Sequence, residues 1–415
     1  MVEIIQKVPC ERIDDPKAAV RTELDRIGLQ SRVKPGSRIA VAVGSRGIAC
    51  IPECVSAVVQ ALKECGASSF IMPAMGSHGG GTPEGQIAVL RNLGVTEEVV
   101  GAPIKSSLAV QQIGTLNDSY PVYVSRDAIA SDGIILVNRV KPHTDFKDRI
   151  ESGLMKLTVI GLGKQKGAEI FHSHGMEAYH SYLPKVARYI IGRLPIVLGL
   201  ALVENARHEI ALVKAIPPSE IEEEEGKLLE KAKQLMPRIP FQQVDLLIVQ
   251  EIGKNISGAG MDPNVTGRFL IPSECPLGSL NAKVVAVLDL TDETEGNAAG
   301  IGLADLTTRR LFDKIDFEST FVNGLTNGFP RCCSIPVFLP SDRAAIETGL
   351  RIIHPTVEIE KARVVMIRNT LDLERIWVSE NLFEELRSRP DMTERITVTG
   401  QPQQIMVDVL GNVTR

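Results

Sequence analysis

The chain has 415 residues, 44% of them hydrophobic and 23% charged, with a formal net charge of -5. That length exceeds one ordinary core and predicts two domains. The acidic balance argues against a nucleic-acid or acidic membrane partner, and no apolar run reaches the roughly 20 residues that span a bilayer.

The N-terminus, MVEIIQKVPCERIDD, has no basic start followed by an apolar stretch, so a cytoplasmic protein is expected. The seven cysteines form an odd set without a repeated zinc-type spacing and are read as reduced thiols. Arg38–Val43 is a short β-branched run ending at Gly44, the pattern of a buried parallel strand. Ile51 to Cys65 carries apolar residues at helical spacing and stops at Gly66, a C-cap. Ser69 to Ala74 reads as a second strand, and Pro83 opens a helix closed by Gly94. Gly133 to Asn138 is a third strand and Ile196 to Val203 a fourth, whereas Leu157 to Gly163 fits strand or helix equally.

Residues 217–238 predict a solvated helix, acidic at its start and basic beyond, that leads to a domain boundary. Val244 to Val249 opens a second α/β unit, with a strand at Val284 to Leu288 and a helix at Ala344 to Ile353. Ile405 to Leu410 is strand-like and is expected to return to the first domain. The fold class is therefore α/β in two domains, each with a mostly parallel sheet flanked by helices and the active site in the interdomain cleft. Residues 1–240, joined by the 395–415 tail, form the catalytic and cofactor-binding domain, and 241–394 form the domain that closes the cleft.

Strand-end loops carry the chemistry. GSHGGGTPEG, residues 76–85, places His78 among glycines that let a substrate approach the backbone. It is neither a P-loop nor a dinucleotide fingerprint. NRVKPHTDFKDRIESG, residues 138–153, presents His143 after the stiff Pro142, in a charged stretch that also fits a solvated loop. Two imidazoles near neutrality can serve as acid and base on one carbon. Lys156 lies in an apolar stretch and must snorkel, pair or be chemically used. His172 and His174 have a spacing seen in metal sites and common by chance. Lys254 and Asn255 sit in a glycine-rich loop that can bind a carboxylate or form an ordinary turn. No Gly-x-Ser-x-Gly elbow and no glycosidase-like carboxylate pair is present.

Together these residues resemble the nickel-dependent lactate racemase family. Arg46 in Gly44-Ser45-Arg46 matches its carboxylate-binding arginine. His78 in Gly76-Ser77-His78 and His143 in Lys141-Pro142-His143 match its two bases. Lys156 matches the lysine that carries a nickel-pincer nucleotide covalently, and His172, sixteen residues later, matches the nickel ligand, with Ile160-Gly161 aligned between them. Glu251-x-x-Lys254 resembles a Gln-x-x-Lys pair that helps hold substrate.

The resemblance implies a racemase or epimerase that inverts C2 of a 2-hydroxy acid by proton-coupled hydride transfer. A small hydroxy acid would be its partner, with no nucleic acid or membrane, and a homodimer is compatible. Three departures stand out: Val43 where an acidic residue is usual, Leu154-Met155 in place of small glycines, and Glu251 in place of glutamine. A divalent-metal isomerase or hydratase on the same fold, or a non-catalytic cofactor-binding protein, are the competing readings.

Overall fold

A computed structural model of the protein describes all residues except 46, 118, 327, 355, 394, 400 and 415. It divides into two compact units, one of Cys10–Met236 and the other of Met1–Pro9 with Pro237–Arg415.

In the Cys10–Met236 unit a five-stranded sheet runs, in spatial order, Ser68–Pro73, Arg38–Val43, Gly133–Arg139, Ile196–Glu204 and Ile210–Ile216. The first four strands are parallel and the fifth is antiparallel. The central strands are apolar along nearly their whole length because both faces are covered. One face packs Ala40, Phe70 and Leu136 against Leu154, Met155, Ile190 and Leu229. The other packs Val41, Ile71 and Leu198 against Val55, Val58 and Leu62 of the helix Ile51–Glu64. That helix ends as its sequence predicts, at Cys65 followed by a left-handed Gly66. A hairpin of Val110–Leu116 and Tyr120–Ser125 lies outside the sheet.

The other unit holds an eight-stranded sheet. Val337–Leu339, Leu306–Thr308, Asn281–Val287, Gln243–Val249 and Val364–Ile367 are parallel. Arg375–Val378, Val2–Gln6 and Ile396–Val398 extend the sheet in antiparallel fashion. The sheet is therefore more mixed than the strand–helix alternation predicts: Arg375–Val378 pairs antiparallel with the preceding Val364–Ile367, and Val2–Gln6 inserts antiparallel between Arg375–Val378 and Ile396–Val398.

The division of the chain also differs from the expectation at both ends. The first strand and the tail both lie in the Pro237–Arg415 unit. Val2 and Ile4 are fully buried in its core, and Ile405 and Val413 pack against it. Arg343 donates its backbone N–H to the Gly411 carbonyl, so the tail docks on the helix Asp342–Ile353 and does not return to the first domain. Ile405 to Leu410 forms no strand, only a bridge between Val407 and Val413. Among the described residues no helix is long and apolar enough to cross a membrane.

Candidate active site

The four parallel strands of the Cys10–Met236 unit end side by side at Val43, Pro73, Arg139 and Glu204. Loops that carry ligands gather at this edge in sheets of this kind. Arg46, three residues after Val43 in the sequence, lies outside the described residues. Arg139 and Glu204 form a largely buried ion pair, and Glu204 also accepts the backbone N–H of Ala49 at 2.7 Å.

The loop after Arg139 is pinched shut by reciprocal backbone bonds between Lys141 and Ser152. Inside it Glu151, 1% exposed, accepts the backbone N–H of His143 at 2.6 Å. Lys147, at 3.3 Å, and Lys233, at 3.2 Å, compensate the Glu151 charge. Lys147 also donates to the His143 carbonyl. This stretch is thus a support for His143 built around a buried carboxylate, and not a loop of solvated charges only, because Glu151 is paired with two lysines and one backbone N–H.

His143 is 9% exposed, its ring 4.5 Å from Phe146 and 5.6 Å from Tyr179 between centroids. Its Nε2 contacts Nζ of Lys156, and its Nδ1 accepts the backbone N–H of Asp145 at 3.0 Å. The ambiguous apolar run resolves as helix: Leu154–Lys156 leads into a π-turn, Leu157–Gly161, which continues toward the helix Lys164–Ser173. π-turns of this kind are frequent at functional sites. Glu225, wholly buried, caps the start of this helix by accepting the N–H of Met155 at 2.9 Å. Burial pushes the Glu225 carboxyl up to about 8, against the pull of the Met155 and Leu154 N–H groups.

His172 lies on the same aromatic cluster. Its ring is 6.3 Å from Tyr179 and edge-on to Phe171. Burial, and then the Lys156 charge, push its imidazole down to about 4, so it is neutral at physiological pH. Tyr179 is the common neighbour: its ring faces His143, His172, Phe146 and Phe171, and Nζ of Lys156 lies 5.6 Å from its centroid. Burial, and then Asp145, raise its hydroxyl above the ordinary tyrosine value.

His78 is exposed and sits on a loop that rests on the lysine-bearing helix. Gly76, in the left-handed region at φ +60°, leaves room for Ile160, which a Cβ there would meet at 2.8 Å. Gln86 donates to the carbonyls of Gly76 and His78 at 2.9 and 3.4 Å. Lys164, fully buried and itself left-handed at φ +52°, donates to the Pro73 carbonyl at the root of the same loop. Burial pushes Lys164 down to about 8, against the nearby Asp127.

The structure thus brings His143, Lys156 and His172 around one tyrosine and lays the His78 loop on the same helix. Lys254 and Glu251 belong to the other unit. There Nζ of Lys254 donates to the Gly258 carbonyl at 2.7 Å, and Glu251 accepts from Asn369 at 3.0 Å and Arg368 at 3.2 Å. The Glu251 charge is therefore balanced within its own unit. Val43, Leu154 and Met155 are all fully buried in the core. His174 turns to Tyr120 and Tyr182 at 5.1 and 5.0 Å and donates from Nδ1 to the Ile170 carbonyl.

Sequence reading missed Tyr179, Glu151, Glu225 and Lys164. Tyr179 lies seven residues after His172, a helical spacing that could have flagged it. Glu225 hides in a run of four glutamates whose other members give no sign of its burial. The helix Ile221–Leu235 buries one face, and this glutamate is on it. Among the described residues no group of three or more His, Cys, Asp or Glu side chains is placed to hold a metal ion.

Residues 1–181 match the lactate racemase N-terminal domain family. Among solved structures, the chain is similar to the lactate racemase apoprotein from Thermoanaerobacterium thermosaccharolyticum, with 14% identity and a TM-score of 0.54. That match covers 89% of this chain and 98% of the other. A protein from Thermotoga maritima is similar at 14% identity and a TM-score of 0.50, covering 81% of this chain and 86% of the other. No curated protein matches the sequence.

Proposed function

We propose that this chain, whose residues 1–181 match the lactate racemase N-terminal domain family, is a racemase or epimerase acting at C2 of a 2-hydroxy acid. The observation that carries the reading is the contact of His143 with Lys156 beside Tyr179, with a neutral His172 on the same ring.

The residues present fit a nickel-pincer nucleotide. Lys156 keeps part of its surface open and would tether it, and His172, uncharged, offers a ring nitrogen that suits nickel. When bound, that group would accept hydride from C2 and return it.

The chain's own residues would do the rest. Removing hydride from C2 is easier when the hydroxyl loses its proton at the same time, and an imidazole near neutrality is a suitable acceptor. His143 is held for this by the Glu151 bond to its backbone, and the Asp145 N–H on Nδ1 leaves the neutral ring its proton on Nε2, so His143 would give that proton up in one direction of the inversion and take it back in the other. His78, at the tip of its loop, is the proposed second base, one for each hydroxyl orientation. Arg46 would hold the substrate carboxylate while the carbon turns over. Phe146, Phe171 and Tyr179 exclude water from this side and strengthen the electrostatics there.

The test uses protein made in cells that produce the cofactor. Intact mass should show an adduct that Lys156→Ala abolishes, and chiral chromatography should show inversion of at least one acid from a panel of 2-hydroxy acids. His78→Ala should keep the adduct and lose inversion. Protein with neither adduct nor inversion would overturn the reading.

A further inference from the structure

The backbone dictates how protons are shared between His143 and Lys156. The N–H of Asp145 points at Nδ1 of His143 at 3.0 Å, so Nδ1 is an acceptor. The Asp145 carboxylate is 3.7 Å from Nδ1, too far to hold a proton there by a hydrogen bond. In the neutral ring the proton therefore sits on Nε2. Nε2 is the atom in contact with Nζ of Lys156. An ammonium there would set two donors head to head, whereas a neutral amine offers the lone pair that Nε2–H requires. The Tyr179 ring favours the ammonium, but from 5.6 Å its pull is weaker than a direct donor clash.

We propose that His143 also acts before any cofactor is attached: it holds Lys156 as a neutral amine, which makes Lys156 a nucleophile toward an electrophilic, carboxyl-type carbon. The proposal deepens the reading above, because it takes Lys156 as the point of covalent attachment. As the amine adds to such a carbon, its lone pair leaves the Nε2–H contact and forms the new N–C bond.

Cyanate provides a minimal probe. The amine nitrogen of Lys156 adds to the carbon of isocyanic acid and one C=N π bond opens. An amine proton ends on the urea nitrogen; nothing is oxidised and nothing leaves. Protein whose intact mass shows no adduct is treated near neutral pH, and rates at each lysine are read by peptide mass mapping. Lys166, with 54% of its side chain exposed, serves as internal reference.

Lys156 should react about 10-fold faster than Lys166. His143→Phe keeps the ring and removes its nitrogens, and should slow Lys156 by about 10-fold with Lys166 unchanged. His143→Gln, whose amide N–H reaches the Nε2 position, should keep most of the wild-type rate. If His143→Phe fails to fold, Asp145→Pro, which deletes the N–H on Nδ1, should give the same loss. Equal rates at Lys156 in wild type and variant, or a wild-type Lys156 no faster than Lys166, would sink the proposal. Fast carbamylation without inversion of any acid would remove the racemase reading and leave this one standing; inversion with slow carbamylation would do the reverse.

Discussion

Glu225 reaches from its own helix to accept the backbone N–H of Met155 at 2.9 Å, one residue before Lys156. The bond satisfies a helix-start donor that would otherwise be orphaned in the core. It also ties the position of Lys156 to a carboxyl that is protonated over much of the neutral range.

That state gives the protein a pH signature. The folded Glu225 carboxyl titrates at about 8, above its ordinary 4.5, so folding favours the proton-bound form. Its contribution is complete below pH 4.5 and is lost as pH rises through 8. The slope is at most about 1.4 kcal/mol per pH unit. The Tm of wild type should fall relative to that of Glu225→Gln between pH 5 and 8, as read by scanning calorimetry. A constant difference over this range would contradict the assignment.

The His78 loop depends on two glycines that touch. A Cβ at Gly85 would come within 1.9 Å of the Gly79 carbonyl oxygen. Gly85→Ala must therefore displace the loop, and since the loop is at the surface the cost should fall on geometry more than on the core. The expected outcome is a loss of inversion of about 100-fold, the scale of a catalytic group misplaced by about 1 Å. Tm should move by only a few degrees, about 1 kcal/mol.

Lys164 anchors the root of that loop through Pro73. Lys164→Met keeps the aliphatic volume and deletes the donor, leaving the Pro73 carbonyl short of a partner, at about 1–3 kcal/mol. Hydrogen exchange should rise selectively in residues 74–81, while the strand Gly133–Arg139 keeps its protection. Uniform loss of protection would show a global role instead.

Leu154 is fully buried in the core. Leu154→Ala should cost about 2–5 kcal/mol, the range for emptying a buried leucine site. Urea unfolding would measure that loss, and the adduct on Lys156 should still form in the variant. Failure of attachment with little loss of stability would mean that Leu154 shapes the site after all.

Much of the first sheet was legible because buried parallel strands write themselves as apolar runs. Arg38–Val43 matches its predicted bounds, and Gly133–Arg139 and Ile196–Glu204 each run one residue further. The short strands Leu306–Thr308, Val337–Leu339 and Ile396–Val398 were not, since three residues carry no period to read. Val2–Gln6 alternates buried and half-exposed positions, but its partners are at the far end of the chain, and pairing across that distance leaves no local mark. At the site, His143 and Lys156 stood out by residue type. Their contact did not, because it depends on the fold of the intervening loop around Glu151.

The place of Val2–Gln6 in the sheet of the Pro237–Arg415 unit bears on how the protein is made. This strand is made before the Cys10–Met236 unit, yet both its neighbours, Arg375–Val378 and Ile396–Val398, follow that unit. The Cys10–Met236 unit is continuous in sequence and can mature on the ribosome, as domains generally do. The other unit can pair this strand only once the chain on both sides of the Cys10–Met236 unit has been made. Until then the strand has unpaired edges, the kind of segment that can pair with another chain instead.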